Sequence, residues 1–149
     1  MPDASWVGHA TEPAGPYQVG REKVREFATA IGDDSPLSHD AEAARAAGHP
    51  DVVAPPTFST TFTMPVIESF LRDPALGWDY TRMVHGDQSI AFHRPIHAGD
   101  ELSTVVHVDD LRTRAGSHML TLRCEVTDPA GSPVATTRSM LVTAAEDAS

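Results

Sequence analysis

The stretch Gly32-Asp33-Asp34-Ser35-Pro36-Leu37-Ser38-His39 places two carboxylates and an imidazole within eight residues. A carboxylate and a neutral imidazole that reach one small volume can share proton work: one abstracts a proton beside a carbonyl, the other orients or protonates a departing hydroxyl. Two registers compete. Asp34 stands five positions before His39, whereas Asp33 has Ser38 at that separation and His39 one step further. The same residues also suit a purely structural role, with Asp33 and Asp34 in a helix-terminal turn, Ser35-Pro36 opening an extended segment, and His39 or Asp40 capping the next helix.

Three other stretches carry polar groups at telling positions. Ala54-Pro55-Pro56-Thr57 precedes a long apolar run, and a helix starting there would aim the free N–H groups of Thr57 and Phe58 at a docked carbonyl oxygen. Proline at the first helical position explains that stretch equally well. In HRPIH, His93 and His97 have the spacing of two metal ligands on a helix. Arg94-Pro95 and the flanking strand pattern argue against a helix, so no metal site and no cofactor are expected, and HAGDEL reads as a turn with Gly99 at positive φ. In VHGDQ, a regular strand would put His85, Asp87 and Ser89 on one face and Gly86 and Gln88 on the other, a solvated or interface face in which Gln88 could hydrogen-bond.

These residues need elements to position them. In REKVREFATAIG, Val24, Phe27, Ala28 and Ile31 recur at helical spacing with charges opposite, and Gly32 stops the helix. HDAEAARAAG reads as a short helix capped by Asp40 and ended by Gly48. From Thr57 to Leu71, Phe58, Phe62, Val66, Ile67, Phe70 and Leu71 form a wide apolar stripe, the signature of the most buried helix, with a kink or break expected near Thr61 to Met64 because of Pro65.

The period then changes to alternation. Strands are drawn through VHGDQSIAFH, ELSTVVHVDDLR, LTLRCEV and SPVATTRSMLVT, separated by the turn signals RPIHAGD, TRAGS and DPAGS. Short connections imply antiparallel neighbours, and helices followed by a meander give an α+β domain whose sheet wraps its apolar face around one helix. The whole chain, 1–149, reads as one such domain, with coil at both ends.

Composition narrows the chemistry. A formal net charge of -10 over 149 residues argues against a nucleic-acid partner held through phosphates. No apolar run approaches the roughly 20 residues of a membrane span, and no basic-then-apolar leader is present, so a soluble, cytoplasmic protein is expected. The single cysteine, Cys124, excludes an intrachain disulfide and suits a buried strand position.

Taken in order, YQVGREKVREFATAIGDDSP, GHPDVVAPPTF and VHGDQSIAFHRPIHAGDELS resemble the N-terminal-type MaoC dehydratase domain of the hot-dog superfamily, closest to the actinobacterial subunits of (3R)-hydroxyacyl-ACP dehydratases. The resemblance runs from about Pro16 to Val142. It implies a hot-dog fold with Thr57–Leu71 as the central helix and protomers paired side by side into a double hot dog, as homodimer or heterodimer. It also implies an acyl thioester on acyl carrier protein or coenzyme A, dehydrated or hydrated across C2 and C3, with a substrate site that includes Pro56, Thr57, Phe58, Phe62, His85 and Gln88.

Active members of that family carry Gly-Asp-x-Asn-Pro-x-His, whose Asp and His are the catalytic pair. Aligned on Gly32 and Pro36, the family Asp matches Asp33, the Asn becomes Ser35 and the His falls on Ser38, with His39 one residue late. In an extended segment that shift turns a side chain to the opposite side. Where active members have a glycine whose N–H meets the thioester oxygen, this chain has Pro56, which has no N–H. The two departures imply a substrate-binding subunit that works with a catalytic partner. The alternatives are a self-sufficient hydratase using Asp33 or Asp34 with His39, a non-catalytic acyl- or polyketide-binding protein, and, more weakly, a thioesterase using Glu68. Arg21, Lys23, Arg25, Arg45 and Arg94 are candidates for a basic patch that docks the anionic carrier, or equally for surface pairs with nearby glutamates.

Overall fold

The computed structural model describes residues 2–144. Strand β1 (Ala14–Gln18) is followed by α1 (Arg21–Ala30), the one-turn α2 (Pro36–His39), α3 (Ala41–Ala46), a 3-10 turn (Pro56–Ser59) leading directly into α4 (Thr60–Leu71), and then β2 (Val84–Phe92), β3 (Glu101–Arg114), β4 (Ser117–Thr127) and β5 (Pro133–Ala144). The strands form one antiparallel sheet in the order β1-β3-β4-β5-β2. This is the expected α+β arrangement, and all four strands read from the alternating half of the chain are present.

Why the sheet holds α4 follows from the alternation. Leu102, Val106, Val108, Leu120, Leu122, Cys124, Val126 and Leu141 all point to one side and are buried. Ile67, Phe70 and Leu71 pack on Val106, Leu120, Leu122 and Leu141, while Phe58 and Phe62 at the other end join Val24, Leu102 and Val126. The helix therefore serves two clusters in series. Fully burying each such side chain contributes roughly 1.5–3 kcal/mol.

Two local expectations are corrected. The α-helix runs unbroken through Pro65. Proline removes the bond to the Thr61 carbonyl, but Pro65 lies on the exposed side of the helix, where water can satisfy that oxygen. The N-terminal segment is also not free coil: the N–H groups of Gly8 and Thr11 donate to the carbonyls of Val108 and Val106, Ala10 bridges His107, and β1 continues the pairing with β3. The segment lacks alternation because it lies at a sheet edge with most of its residues exposed.

At the other edge, β2 pairs only with β5, and all of its residues except Ile90 are exposed, including Val84 at 61% and Phe92 at 41%. A bulge lies between His85, opposite Leu141, and Asp87, opposite Met140. Partners facing each other across a ladder share a face. His85 thus lies on the helix side with Gln88, Ile90 and Phe92, whereas Asp87 and Ser89 point outward with Met140 and Arg138. A regular period of two would have grouped His85 with Asp87 and Ser89; the unpaired Gly86 breaks that period.

Candidate functional site

The corner after α1 is built by a helix stop. Gly32, at φ 73°, donates to Thr29 and the Asp33 N–H reaches back to the Ala28 carbonyl at 2.8 Å, a Schellman-type ending. Asp33 Oδ1 then accepts the Ser35 N–H at 2.9 Å, and Ser35-Pro36 starts not an extended segment but the helical turn α2. In a helix, consecutive side chains are rotated by about 100°. Ser38 and His39 accordingly point in different directions, though not opposite ones.

Ser38 turns inward. It is buried, and its hydroxyl donates to the Val53 carbonyl at 2.7 Å, while the Val53 N–H donates to the Leu37 carbonyl at 2.8 Å. His39 stays half-buried, with its Nε2 2.6 Å from the backbone carbonyl of Asp33. A carbonyl oxygen can only accept, so Nε2 carries the proton and Nδ1 is the basic nitrogen of the neutral ring. The Arg25 guanidinium donates to the His39 carbonyl at 2.8 Å and locks α2 against α1. The imidazole thus meets the main chain of Asp33 while the Asp33 carboxylate closes its own turn. Asp34 is exposed.

The start of the 3-10 turn differs from expectation in one respect. The Phe58 N–H is not free: it donates to the Pro55 carbonyl at 2.9 Å. Of the two expected donors, this leaves Thr57, which is exposed beside the exposed Pro56. Pro56 lines a hollow of about 450 Å3 with Val53, Ala54, Phe92, His93, Arg94 and Ile96 among its walls. Val53 joins this hollow to the corner, since its carbonyl holds Ser38.

A second hollow runs along α4. One part, of about 280 Å3, lies between Thr61, Phe62 and β1; the next, of about 510 Å3, continues past Ser69 and Phe70 to His9, Glu12 and Asp73. Ala14, Pro65 and Val66 line both. Phe62 is buried under Tyr17, with ring centroids 5.0 Å apart. Nothing in the N-terminal sequence marked His9 and Glu12 as groove residues, because their placement depends on a long-range pairing with β3. The Glu68 carboxylate near the Tyr80 hydroxyl raises the Tyr80 pKa, which places this carboxylate beside Tyr80 and not at the corner.

Every residue of the candidate basic patch is in an ion pair. Arg21 pairs with Asp51 at 2.5 Å, Lys23 with Glu26 at 3.4 Å, Arg25 with Glu22, Arg45 with Glu42 at 2.6 Å, and Arg94 with Asp100 at 2.8 Å. The Arg21 hydrogen bond, with help from the Val52 N–H, lowers the Asp51 pKa from 3.8 to about 2. A pKa depressed in the folded state stabilises above the unfolded value and is lost as pH falls through the folded one. Stability from this carboxylate should therefore be complete above about pH 4 and fade toward pH 2. Urea midpoints measured across that window should fall more steeply for the wild type than for Asp51→Asn.

With this geometry in view, comparison with known proteins decides the family. The model of the FAS1-like dehydratase domain region matches residues 5–137. The chain belongs to the FAS1-like dehydratase family. Among curated members, it is 56% identical to a UPF0336 protein of Saccharopolyspora erythraea, over 94% of this chain and 90% of the relative. It is 49% identical to UPF0336 protein SCO4636 of Streptomyces coelicolor, over 98% of both. Two solved structures fit the same FAS1-like dehydratase fold. A MaoC-like dehydratase superposes with a TM-score of 0.87 at 37% identity, over 96% of this chain but only 43% of the other, so this chain spans less than half of that protein. The HadBC (3R-hydroxyacyl-ACP dehydratase) complex of Mycobacterium tuberculosis gives 0.81 at 30% identity, over 92% and 96%. The architecture is the MaoC-like hot dog. No helix among the described residues is long and apolar enough to cross a membrane.

Proposed function

We propose that this chain is the substrate-binding subunit of a (3R)-hydroxyacyl-thioester dehydratase and that a second hot-dog chain supplies the Asp–His pair. The observation that carries this reading is the 2.6 Å contact of His39 with the Asp33 backbone carbonyl, made while the Asp33 carboxylate caps Ser35 and Ser38 occupies the family's histidine position, facing Val53. General acid–base dehydration needs the carboxylate and imidazole aimed at one substrate. Here Asp33 Oδ1 accepts from the Ser35 N–H and His39 Nε2 donates to the Asp33 carbonyl, so neither side chain is held by the other.

Three further features support the reading. The bare β2 edge, with Val84 and Phe92 exposed, suits side-by-side pairing into a double hot dog, in which His85 and Gln88 would face the shared cleft. The apolar trough along α4 suits an acyl chain. The neutralised arginines suit a carrier, acyl carrier protein or coenzyme A, that docks mainly on the partner. On this reading the protein acts in the cytoplasm, and its partner removes the C2 proton and protonates the C3 hydroxyl as it leaves as water.

The test is hydration of crotonyl-CoA by the purified chain, alone and co-purified with a hot-dog chain that carries an intact Gly-Asp-x-Asn-Pro-x-His. The expected result is background turnover alone and robust turnover in the mixture. Robust turnover by the chain alone, abolished in His39→Ala, would instead establish the self-sufficient alternative.

A further inference from the structure

Beside the corner, two segments distant in sequence form a short ribbon. The Ala54 N–H donates to the Ile96 carbonyl at 2.8 Å, the Ala98 N–H donates to the Val52 carbonyl at 3.0 Å, and Val53 faces His97 in an antiparallel bridge. The ribbon brings His49 Nδ1 to 3.1 Å from His97 Nε2, with ring centroids 5.2 Å apart and planes inclined at 46°. His49 is fixed from its own side, because Gly48 takes φ 92° and the His49 N–H closes onto the Ala44 carbonyl at 3.0 Å.

The charged groups around the pair are already engaged. Asp51 is held by Arg21 and Arg45, and Asp100 accepts two bonds from Arg94 and one from the His97 backbone N–H. The two imidazoles therefore face each other and not a carboxylate. Burial keeps the His97 pKa below that of an ordinary histidine, and His49 and Arg94 add to this against the opposing pull of Asp100 and Asp51. A neutral imidazole has one lone pair to offer, and the lowered pKa of His97 favours that form.

Two nitrogens at about 2.0–2.1 Å from a tetrahedral zinc ion lie about 3.3 Å from each other, so a separation of 3.1 Å is a small side-chain adjustment from a chelate. We propose that His49 and His97 form a two-imidazole site for a borderline divalent cation such as Zn2+ or Ni2+, which staples the end of α3 to the β2–β3 connection. Among the described residues no third His, Cys or carboxylate converges on the pair, so water completes the coordination and the ion is exchangeable. For both facing nitrogens to bind the ion, the hydrogen between them moves to the other nitrogen of its own ring, so each imidazole stays neutral.

The test is calorimetric titration of the tag-free chain with ZnCl2 and with NiCl2 near pH 7.5, paired with melting temperatures. Saturable uptake of one ion per chain with a raised melting temperature is expected, weakened at least about tenfold in both His49→Gln and His97→Gln. Should those variants fold poorly, ring-nitrogen NMR of the wild type gives an independent answer: zinc should shift two of its eight histidines. Uptake unaffected by either substitution, shifts at other histidines, or a melting temperature that responds to pH through this pair but not to metal would overturn the proposal.

Discussion

Replacing Asp33 with Asn in this chain is expected to leave turnover of the paired dehydratase within about threefold, whereas the same change at the partner's motif aspartate should cost about 10²–10⁴-fold. The asymmetry follows from the corner. Asparagine retains an oxygen that can accept the Ser35 N–H, the role Oδ1 plays at 2.9 Å, so the turn survives. The imidazole contact survives too, because it is made to the Asp33 backbone carbonyl and not to the side chain. Steady-state hydration of an enoyl thioester by complexes mutated in one chain at a time makes the measurement. A loss in this chain as large as in the partner would mean that the Asp33 carboxylate reaches substrate and that the proposed division of labour is wrong.

Phe58→Ala should be the most damaging single truncation, lowering stability by about 3–5 kcal/mol. The Phe58 ring is 0% exposed and stands edge-on to Phe27 of α1, with ring centroids 5.5 Å apart, while Tyr17 of β1 and Phe62 of α4 close around it. One side chain thus joins α1, β1 and α4, and truncation leaves a void none of them can fill without moving. Ile31→Ala, two residues before Asp33 and 51% exposed, should stay within about 0.5 kcal/mol. Urea unfolding monitored by tryptophan fluorescence and by circular dichroism separates the two cases. A small effect at Phe58 would mean that α1 is not anchored through this ring.

The elements legible in the sequence were those whose cause is local. Val24, Phe27 and Ala28 repeat at helical spacing and Gly32 stops the run, so α1 could be read without any partner; the alternation of Leu120, Leu122, Cys124 and Val126 likewise defined β4. What escaped reading depends on residues far away in the chain. The N-terminal arm has no period of its own and is ordered by hydrogen bonds to Val106 and Val108. Gly86 looked like an ordinary strand residue, yet the ladder with β5 makes it a bulge that moves His85 to the other face. At the site, the Asp33 turn was visible in its residue types, but the burial of Ser38 depends on the Val53 carbonyl, 15 residues downstream. Similarly, the eye-catching spacing was His93 with His97, while the ring that His97 meets is His49, 48 residues upstream.

The uncovered β2 ladder also bears on how much of this protein a cell can hold. Along the free side of the nine-residue β2, whose ends are the exposed Val84 and Phe92, the backbone donors and acceptors not bonded to β5 form a template that an extended peptide can extend. Under the proposed pairing, copies made in excess of the partner chain would be driven toward self-association, so the solubility of one gene product would depend on the synthesis rate of the other.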